Sequence, residues 1–364
     1  VEKERSVPYK VAPGRSQPTA AIRGVTSSAG GCGVKDQVSR SRLTAGAGRA
    51  PGGRHVSLVG PTATGKTAAA VRFARRHGDV ELISVDAIAV YRELDVGTAK
   101  PTPDERRGVA WHLVDECDPG EEFSVARFQA DAQGAIAGIE ARGHRAVLVG
   151  GTGLYHRAVV DELDLPGRYP EIAAELEAEA DGPGGLLALH AHLVALDPAA
   201  AARIEPTNRR RLVRALEVVL GSGQPFSGAG PGLRHYGPTR FCLVGLTLDR
   251  GELDRQIAAR LEAQFSAGFV DEVTGLAARS PGLSRTARQA LGYRELLEYV
   301  AGRATLDEAR AAILRRTRSF ARRQESWFRR DPRIVWLDAA RRDLDDALDD
   351  AVAATDRGDT WARD

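Results

Sequence analysis

The sequence has no methionine and three cysteines among its 364 residues. Without a methionine it does not mark its own start. Cys32, Cys117 and Cys242 are odd in number and far apart, which excludes a disulfide framework and a C-x-x-C zinc site. Such cysteine usage points to a reducing, cytoplasmic setting. No apolar run approaches the ~20 residues that a membrane-spanning helix needs. Nor does the chain open with a charged segment followed by an apolar one, the mark of a secretory signal. The net charge of +2 names no partner by itself; where the arginines sit says more. What remains is a globular chain of ordinary composition, long enough for one large or two modest domains.

Residues 1–52 are rich in Gly, Ala, Ser, Pro and Arg and carry few large apolar side chains. Such a segment cannot bury enough surface to offset the entropy of ordering it, so a disordered basic tail is expected. Its basic, acid-poor makeup also resembles a transit peptide, but a non-essential tail or a mis-called start is the favoured reading.

The pattern changes at His55-Val56-Ser57-Leu58-Val59, a short apolar run that reads as a buried strand. It leads into Gly60-Pro61-Thr62-Ala63-Thr64-Gly65-Lys66-Thr67 and then an alanine-rich helical stretch. Strand, glycine-rich turn and helix are the context in which G-x-x-x-x-G-K-[ST] is a phosphate-binding loop. Gly60 and Gly65 let the backbone curl so that successive N–H groups face one anion. The opening helix adds the positive end of its dipole. Lys66 supplies a point charge, and the Thr67 hydroxyl is a ligand for Mg²⁺.

Residues 81–86 read as a second buried strand with a carboxylate at its carboxyl end, the end that faces the ligand crevice of an open α/β sheet. Asp86 is therefore a candidate functional acid, set against the commoner role of a turn or helix cap. Arg92 and Lys100 lie in a loop that could face phosphates; solvated surface is the alternative. Residues 111–115 read as a third strand with His112 structural, and a helix capped by Ser124 runs to about Arg142. Residues 145–149 are another strand, ending in Gly150-Gly151-Thr152. The N–H groups and the Thr152 hydroxyl of this second glycine turn face the same crevice, or form a plain βα turn.

From about residue 161 the alternation of strand and helix stops. Short amphipathic helices at 171–180 and 184–196 make 166–238 a helical insertion. In it, Arg209, Arg210, Arg211 and Arg214 crowd the start of a helix whose Leu212, Leu216, Val219 and Leu220 recur at core spacing. Arginines there oppose the helix dipole, which favours an anionic partner. Residues 240–248 return to the sheet. Thr305 caps a long helix packed through Leu306, Ala309, Ile313, Thr317, Phe320, Gln324, Trp327 and Phe328. Its outer side carries Arg315, Arg316, Arg318, Arg322, Arg323, Arg329 and Arg330 with few acids, which suits a nucleic-acid backbone. The acidic end, 341–364, reads as a mobile tail.

Two features pull away from ATP hydrolysis. Val147-Leu148-Val149 runs into glycines with no Walker-B acid, and the one strand-end acid is Asp86. A diphosphate in the P-loop could then be a leaving group, attacked at the carbon that bears it, with Asp86 as base.

Taken in order, the motifs resemble one family: the bacterial-type tRNA dimethylallyltransferases. The likeness rests on the P-loop, on Val85-Asp86 with Tyr91-Arg92, and on Asp95-Val96-Gly97-Thr98-Ala99-Lys100-Pro101. It continues through Leu148-Val149-Gly150-Gly151-Thr152-Gly153-Leu154-Tyr155, Asp197-Pro198, Arg203-Ile204, and Arg211-Leu212 with Arg214-Ala215-Leu216-Glu217. Gly292-Tyr293, Thr317-Arg318, Ala321-Arg322-Arg323-Gln324 and Trp327 complete it, over about residues 54–338.

The resemblance implies a P-loop NTPase-like α/β fold, a parallel sheet flanked by helices formed from 53–165 and 239–340. It implies that Gly60 to Thr67 hold the diphosphate of dimethylallyl diphosphate with Mg²⁺. The target adenosine, next to the anticodon, is flipped out of the tRNA loop. Asp86 takes the proton from its N6, and Thr152 lies by the reacting groups. Asp86, Ala87, Ile88 and Ala89, with Thr152 and with Arg210, Arg211, Leu212, Val213 and Arg214, contact the tRNA. A monomer is expected. Where the family commonly has serine after the aspartate, this chain has Ala87, and a hydroxyl contact is missing. The zinc finger of eukaryotic members is not found in the sequence. Two other enzymes stay open: a P-loop kinase or NTPase, and an adenylate isopentenyltransferase, which would not need the arginine faces. A non-catalytic RNA-binding module would leave Lys66, Thr67 and Asp86 without purpose.

Overall fold

A computed structural model of the protein describes residues 55–228, 230 and 232–357. The expected basic tail, 1–52, lies outside them. Six strands form one all-parallel sheet: β1 His55–Val59, β2 Val80–Val85, β3 Trp111–His112, β4 Arg145–Gly150, β5 Phe241–Thr247 and β6 Val335–Asp338. Their order is β3-β2-β4-β1-β5-β6. Strands β1 and β2 are buried along their whole length, as expected where helices cover both faces of a parallel sheet. Neighbouring residues point to opposite faces. Ile83 and Leu148 join Phe128, Ile136, Phe269 and Phe328 on one side. Leu82 and Val147 join Phe73, Val244 and Leu348 on the other.

Strand β6 was not foreseen. It is a four-residue edge strand with one buried side chain, Leu337, too short for alternation to register. The expected helix caps are present: Ser124 Oγ accepts from Arg127 N at 3.2 Å, and Thr305 forms a capping box with Glu308. His112 is structural, its Nε2 2.7 Å from Glu81 Oε2. Arg142, together with His112 and His144, holds the buried Glu81 carboxyl down at about 2.

The register positions the site. Val59 and Val85 both stand level with Gly150, so Gly60, Asp86 and Gly151 leave the sheet side by side at its carboxyl edge. Close approach demands the glycines here. A Cβ on Gly60 would lie 2.3 Å from the Leu246 carbonyl oxygen, and one on Gly150 would lie 2.1 Å from that of Val85.

Helices Pro170–Ala180, Gly185–Leu196 and Arg209–Ser222 pack around a separate cluster that includes Leu176, Leu189, Leu193, Leu212 and Leu216. The acidic end is not the mobile tail expected from its composition. Residues Leu344–Arg357 form a helix that buries Leu344, Ala347, Leu348, Ala351 and Val352, an i, i+3, i+4, i+7, i+8 stripe. Its acids are partners rather than solvated charge: Asp345 pairs with Arg72 at 2.9 Å and Arg76 at 3.0 Å, and Asp349 with His77 at 2.9 Å. Leu348→Ala should lower stability by about 2–4 kcal/mol in urea unfolding; an unchanged midpoint would return the segment to a loose tail.

Candidate active site

The P-loop leads from β1 into helix Lys66–His77. Ala63 and Gly65 both take positive φ, 66° and 78°, and Gly65 caps the helix without a side chain. Thr64 Oγ1 and Lys66 Nζ both donate to the Pro61 carbonyl, at 2.9 and 2.5 Å. Lys66 is buried and makes no ion pair among the described residues. Burial pushes its ammonium down to about 7, the Arg260 charge adds to the fall, and the Asp86 charge opposes it.

Arg260 comes from helix Arg250–Ser266. Its Nη1 donates to Thr62 Oγ1 at 3.2 Å and its Nη2 to the Thr98 carbonyl at 3.0 Å. Burial lowers its pKa as well, with Asp86 again opposing. Two desolvated cations with no carboxylate in contact form a charge arrangement that is complete only when an anion enters. Thr62 itself is occupied: its N–H donates to Gln324 Oε1 at 2.8 Å. The Thr62 N–H is therefore not free for an anion as the loop stands.

Asp86 stands half-buried at the end of β2. Oδ1 accepts from the N–H groups of Ile88 at 2.8 Å and Ala89 at 3.2 Å, which pins the carboxylate as a turn cap. Oδ2 has no hydrogen-bond partner among the described residues. Thr152 sits at the N-cap of helix Gly153–Val160 but its hydroxyl does not cap that helix. Instead Oγ1 receives the Ala87 N–H at 3.4 Å, which ties Thr152 to the residue after Asp86.

The loop after β2 is clamped rather than open. Glu272 accepts from the N–H groups of Asp95, Val96 and Gly97 at 2.9, 2.7 and 3.2 Å. Lys100 is buried between Asp95 and Asp115, 2.6 Å from each; it organises the loop and is not available to an anion. Arg92 donates to the Glu116 carbonyl at 3.1 Å.

The arginines divide in the same way. Arg209 is held by Glu177 at 2.6 Å and Asp181 at 2.5 Å, and Arg214 by Glu217 at 2.8 Å. Arg210 and Arg211 are exposed, and their side chains have no partner among the described residues. Leu212 and Val213 are buried in the cluster of the 170–222 helices, and Ala89 is buried beneath the turn. These three side chains cannot meet a partner, because helical and turn periodicity points them inward. On helix Leu306–Phe328, Arg316 pairs with Glu295, and Arg318 stands 3.6 Å from Asp254. Arg315, Arg322 and Arg330 are exposed and unpaired among the described residues.

The motif order and this geometry agree with what similarity shows. The IPP transferase family profile matches residues 89–331, and an isopentenyl transferase profile matches residues 54–117. A tRNA dimethylallyltransferase of Kineococcus radiotolerans is 50% identical over 301 residues, 81% of this chain and 93% of that protein. The chain belongs to the tRNA dimethylallyltransferase family. The full-length tRNA isopentenylpyrophosphate transferase of Bacillus halodurans has the same fold, with a TM-score of 0.61 and 37% identity over 84% of this chain and 98% of that one. A eukaryotic dimethylallyltransferase is 20% identical, with a TM-score of 0.70 over 85% and 81% of the two chains, a likeness of fold alone. The fold brings the P-loop, Asp86 and Thr152 to one edge of the sheet, as their spacing suggested, and adds Arg260, which the sequence did not single out. A signal was present: Ile257, Arg260, Leu261 and Gln264 share one helix flank, so Arg260 stands beside the buried residues Ile257 and Leu261.

Proposed function

We propose that the protein transfers a dimethylallyl group from dimethylallyl diphosphate to N6 of the adenosine adjacent to the anticodon, adenosine-37, of tRNA. The observation that carries this reading is the pairing of an anion cradle with a free carboxylate oxygen. Lys66 and Arg260 lie in the cradle at the carboxyl end of β1, and Asp86 stands at the neighbouring strand end with Oδ2 unused. The N6 lone pair attacks C1 of the allyl group, the C–O bond to diphosphate breaks, and the N6 proton passes to Asp86. The leaving diphosphate keeps the bonding pair and is met by P-loop N–H groups, Lys66 and Arg260. Preorganised charge of this kind acts most strongly where water is excluded. Thr152 orients the acceptor side.

The donor set suits Mg²⁺. The Thr67 hydroxyl, on the first turn of the P-loop helix, makes no hydrogen bond among the described residues. Those residues also contain no group of three or more His, Cys, Asp or Glu able to hold a metal. A protein that offers a hydroxyl and no carboxylate cage fits an ion that arrives with a diphosphate. When bound, Mg²⁺ would neutralise charge on the leaving group. No helix among the described residues is long and apolar enough to cross a membrane; the reading is of a cytoplasmic monomer.

The test is incubation with Mg²⁺, dimethylallyl diphosphate and unmodified tRNA, followed by nucleoside mass analysis. An adenosine heavier by one isopentenyl group is expected. Product with free AMP and none with tRNA would make the protein an adenylate isopentenyltransferase. ATP hydrolysis without prenyl product would make it a P-loop NTPase. The tRNA surface is formed by Arg210, Arg211, Arg315, Arg322 and Arg330. Binding should weaken steeply with salt, and replacing any one of these by alanine should reduce the log–log slope by about 0.7–0.9. Arg209→Ala should leave that slope intact, because Glu177 and Asp181 already neutralise Arg209.

A further inference from the structure

We propose that Gln324 is a positioning residue for prenyl transfer, locking the turn that holds the diphosphate to the turn that holds the acceptor. This rests on the transfer reading above. Gln324 is buried, and both ends of its carboxamide are engaged. Oε1 accepts the Thr62 N–H at 2.8 Å, and Nε2 donates to the Gly151 carbonyl at 3.0 Å. A backbone N–H requires an acceptor and a backbone carbonyl a donor, so the two partners define which way the amide points. The fit is close. A Cβ on Gly151 would lie 2.2 Å from Gln324 Nε2, and one on Gly153 would lie 2.2 Å from Trp327 Nε1. Helix Leu306–Phe328 thus presses on the second glycine turn at two points and reaches the P-loop through one of them.

The consequence is geometric. With the Thr62 N–H held by Gln324, the groups that follow it in the loop face the anion. With the Gly151 carbonyl held, the next residue, Thr152, keeps its hydroxyl on the Ala87 N–H beside Asp86. The strands align these turns only as far as Val59 and Gly150; beyond the sheet, the Gln324 amide ties the turns to each other. Transfer needs reacting atoms about 3–3.5 Å apart, and a 1 Å error costs on the order of 100-fold. The loss should therefore fall on kcat.

Gln324→Met keeps the length and removes both hydrogen bonds. It should lower kcat by about 10- to 100-fold and leave KM for dimethylallyl diphosphate and for tRNA within about threefold. Gln324→Glu gives a sharper readout. Protonated, it donates to Gly151 and accepts from Thr62 as the amide does; ionised, it cannot donate. Its kcat relative to the wild type should rise as pH is lowered from about 8.5 to about 6. Should the Met variant fail to fold, Gly151→Ala displaces the same amide and should show the same kcat loss. Combined with Gln324→Glu, it should cost no more than the worse single change, because both break one contact. An unchanged kcat, losses confined to KM, a flat pH ratio or additive losses would each overturn the role of Gln324. Absence of prenylated adenosine with the wild type would instead overturn the transfer reading itself.

Discussion

Asp86→Asn should lower kcat for prenyl transfer by about 10²- to 10⁴-fold, the usual worth of a positioned general base. It should leave folding and the KM of both substrates close to the wild type. Asparagine is the cleaner test because Asp86 does two things. Its Oδ1 caps the turn through the Ile88 and Ala89 N–H groups, and the asparagine carbonyl preserves that cap. Only the oxygen that would accept the proton changes character. Asp86→Ala removes both functions and should cost about 1 kcal/mol of stability in addition. A normal single-turnover rate in the Asn variant would remove Asp86 from the chemistry and leave it a turn cap.

Arg260→Ala and Lys66→Ala should each lower kcat/KM for dimethylallyl diphosphate by about 10²- to 10³-fold, as loss of one preorganised charge at a developing anion does. Neither should change tRNA affinity. Arg260→Lys should recover little, because one ammonium cannot reach Thr62 and Thr98 together as the guanidinium fork does. Lys66 also predicts a pH dependence. Its ammonium lies at about 7 instead of 10.5 in the free protein, so kcat/KM for the diphosphate should fall as pH rises through about 7. Bound diphosphate favours the charged form and should keep kcat flatter. The sign for stability is opposite. Between about 7 and 10.5 the unfolded chain holds the Lys66 proton and the folded one does not, so this residue makes stability rise with pH across that window. Urea midpoints across the window should lose that contribution in Lys66→Met. An unchanged pH slope, with full kcat/KM retained, would mean that Lys66 is not the buried cation of the cradle.

Local chemistry made much of the site legible. Glycine turns at strand ends act within a few residues, so the P-loop, Asp86 and the Gly150-Gly151-Thr152 turn could be placed on the crevice from spacing. The central strands were legible because burial on both faces leaves a near-continuous apolar run. Lys100 was not: its loop composition suggested an anion site, and only the fold brings Asp115 to it. The C-terminal helix was misjudged for a related reason. Asp345 and Asp349 look like solvated charge until Arg72, Arg76 and His77 are seen beside them.

The sequence by itself determined the succession of the first five strands along the chain, the phosphate loop, the family, and which acid stands at the carboxyl end of β2. The tertiary structure decided which charges are free to act. Arg260 reaches Thr62 across 198 positions and Gln324 across 262, while Arg209 and Arg316 are neutralised by acids far away in the sequence, Glu177, Asp181 and Glu295. A backbone conformation is set by neighbours in sequence, so its pattern can be read locally. The state of a charge is set by whatever packs against it, and no local pattern names that partner.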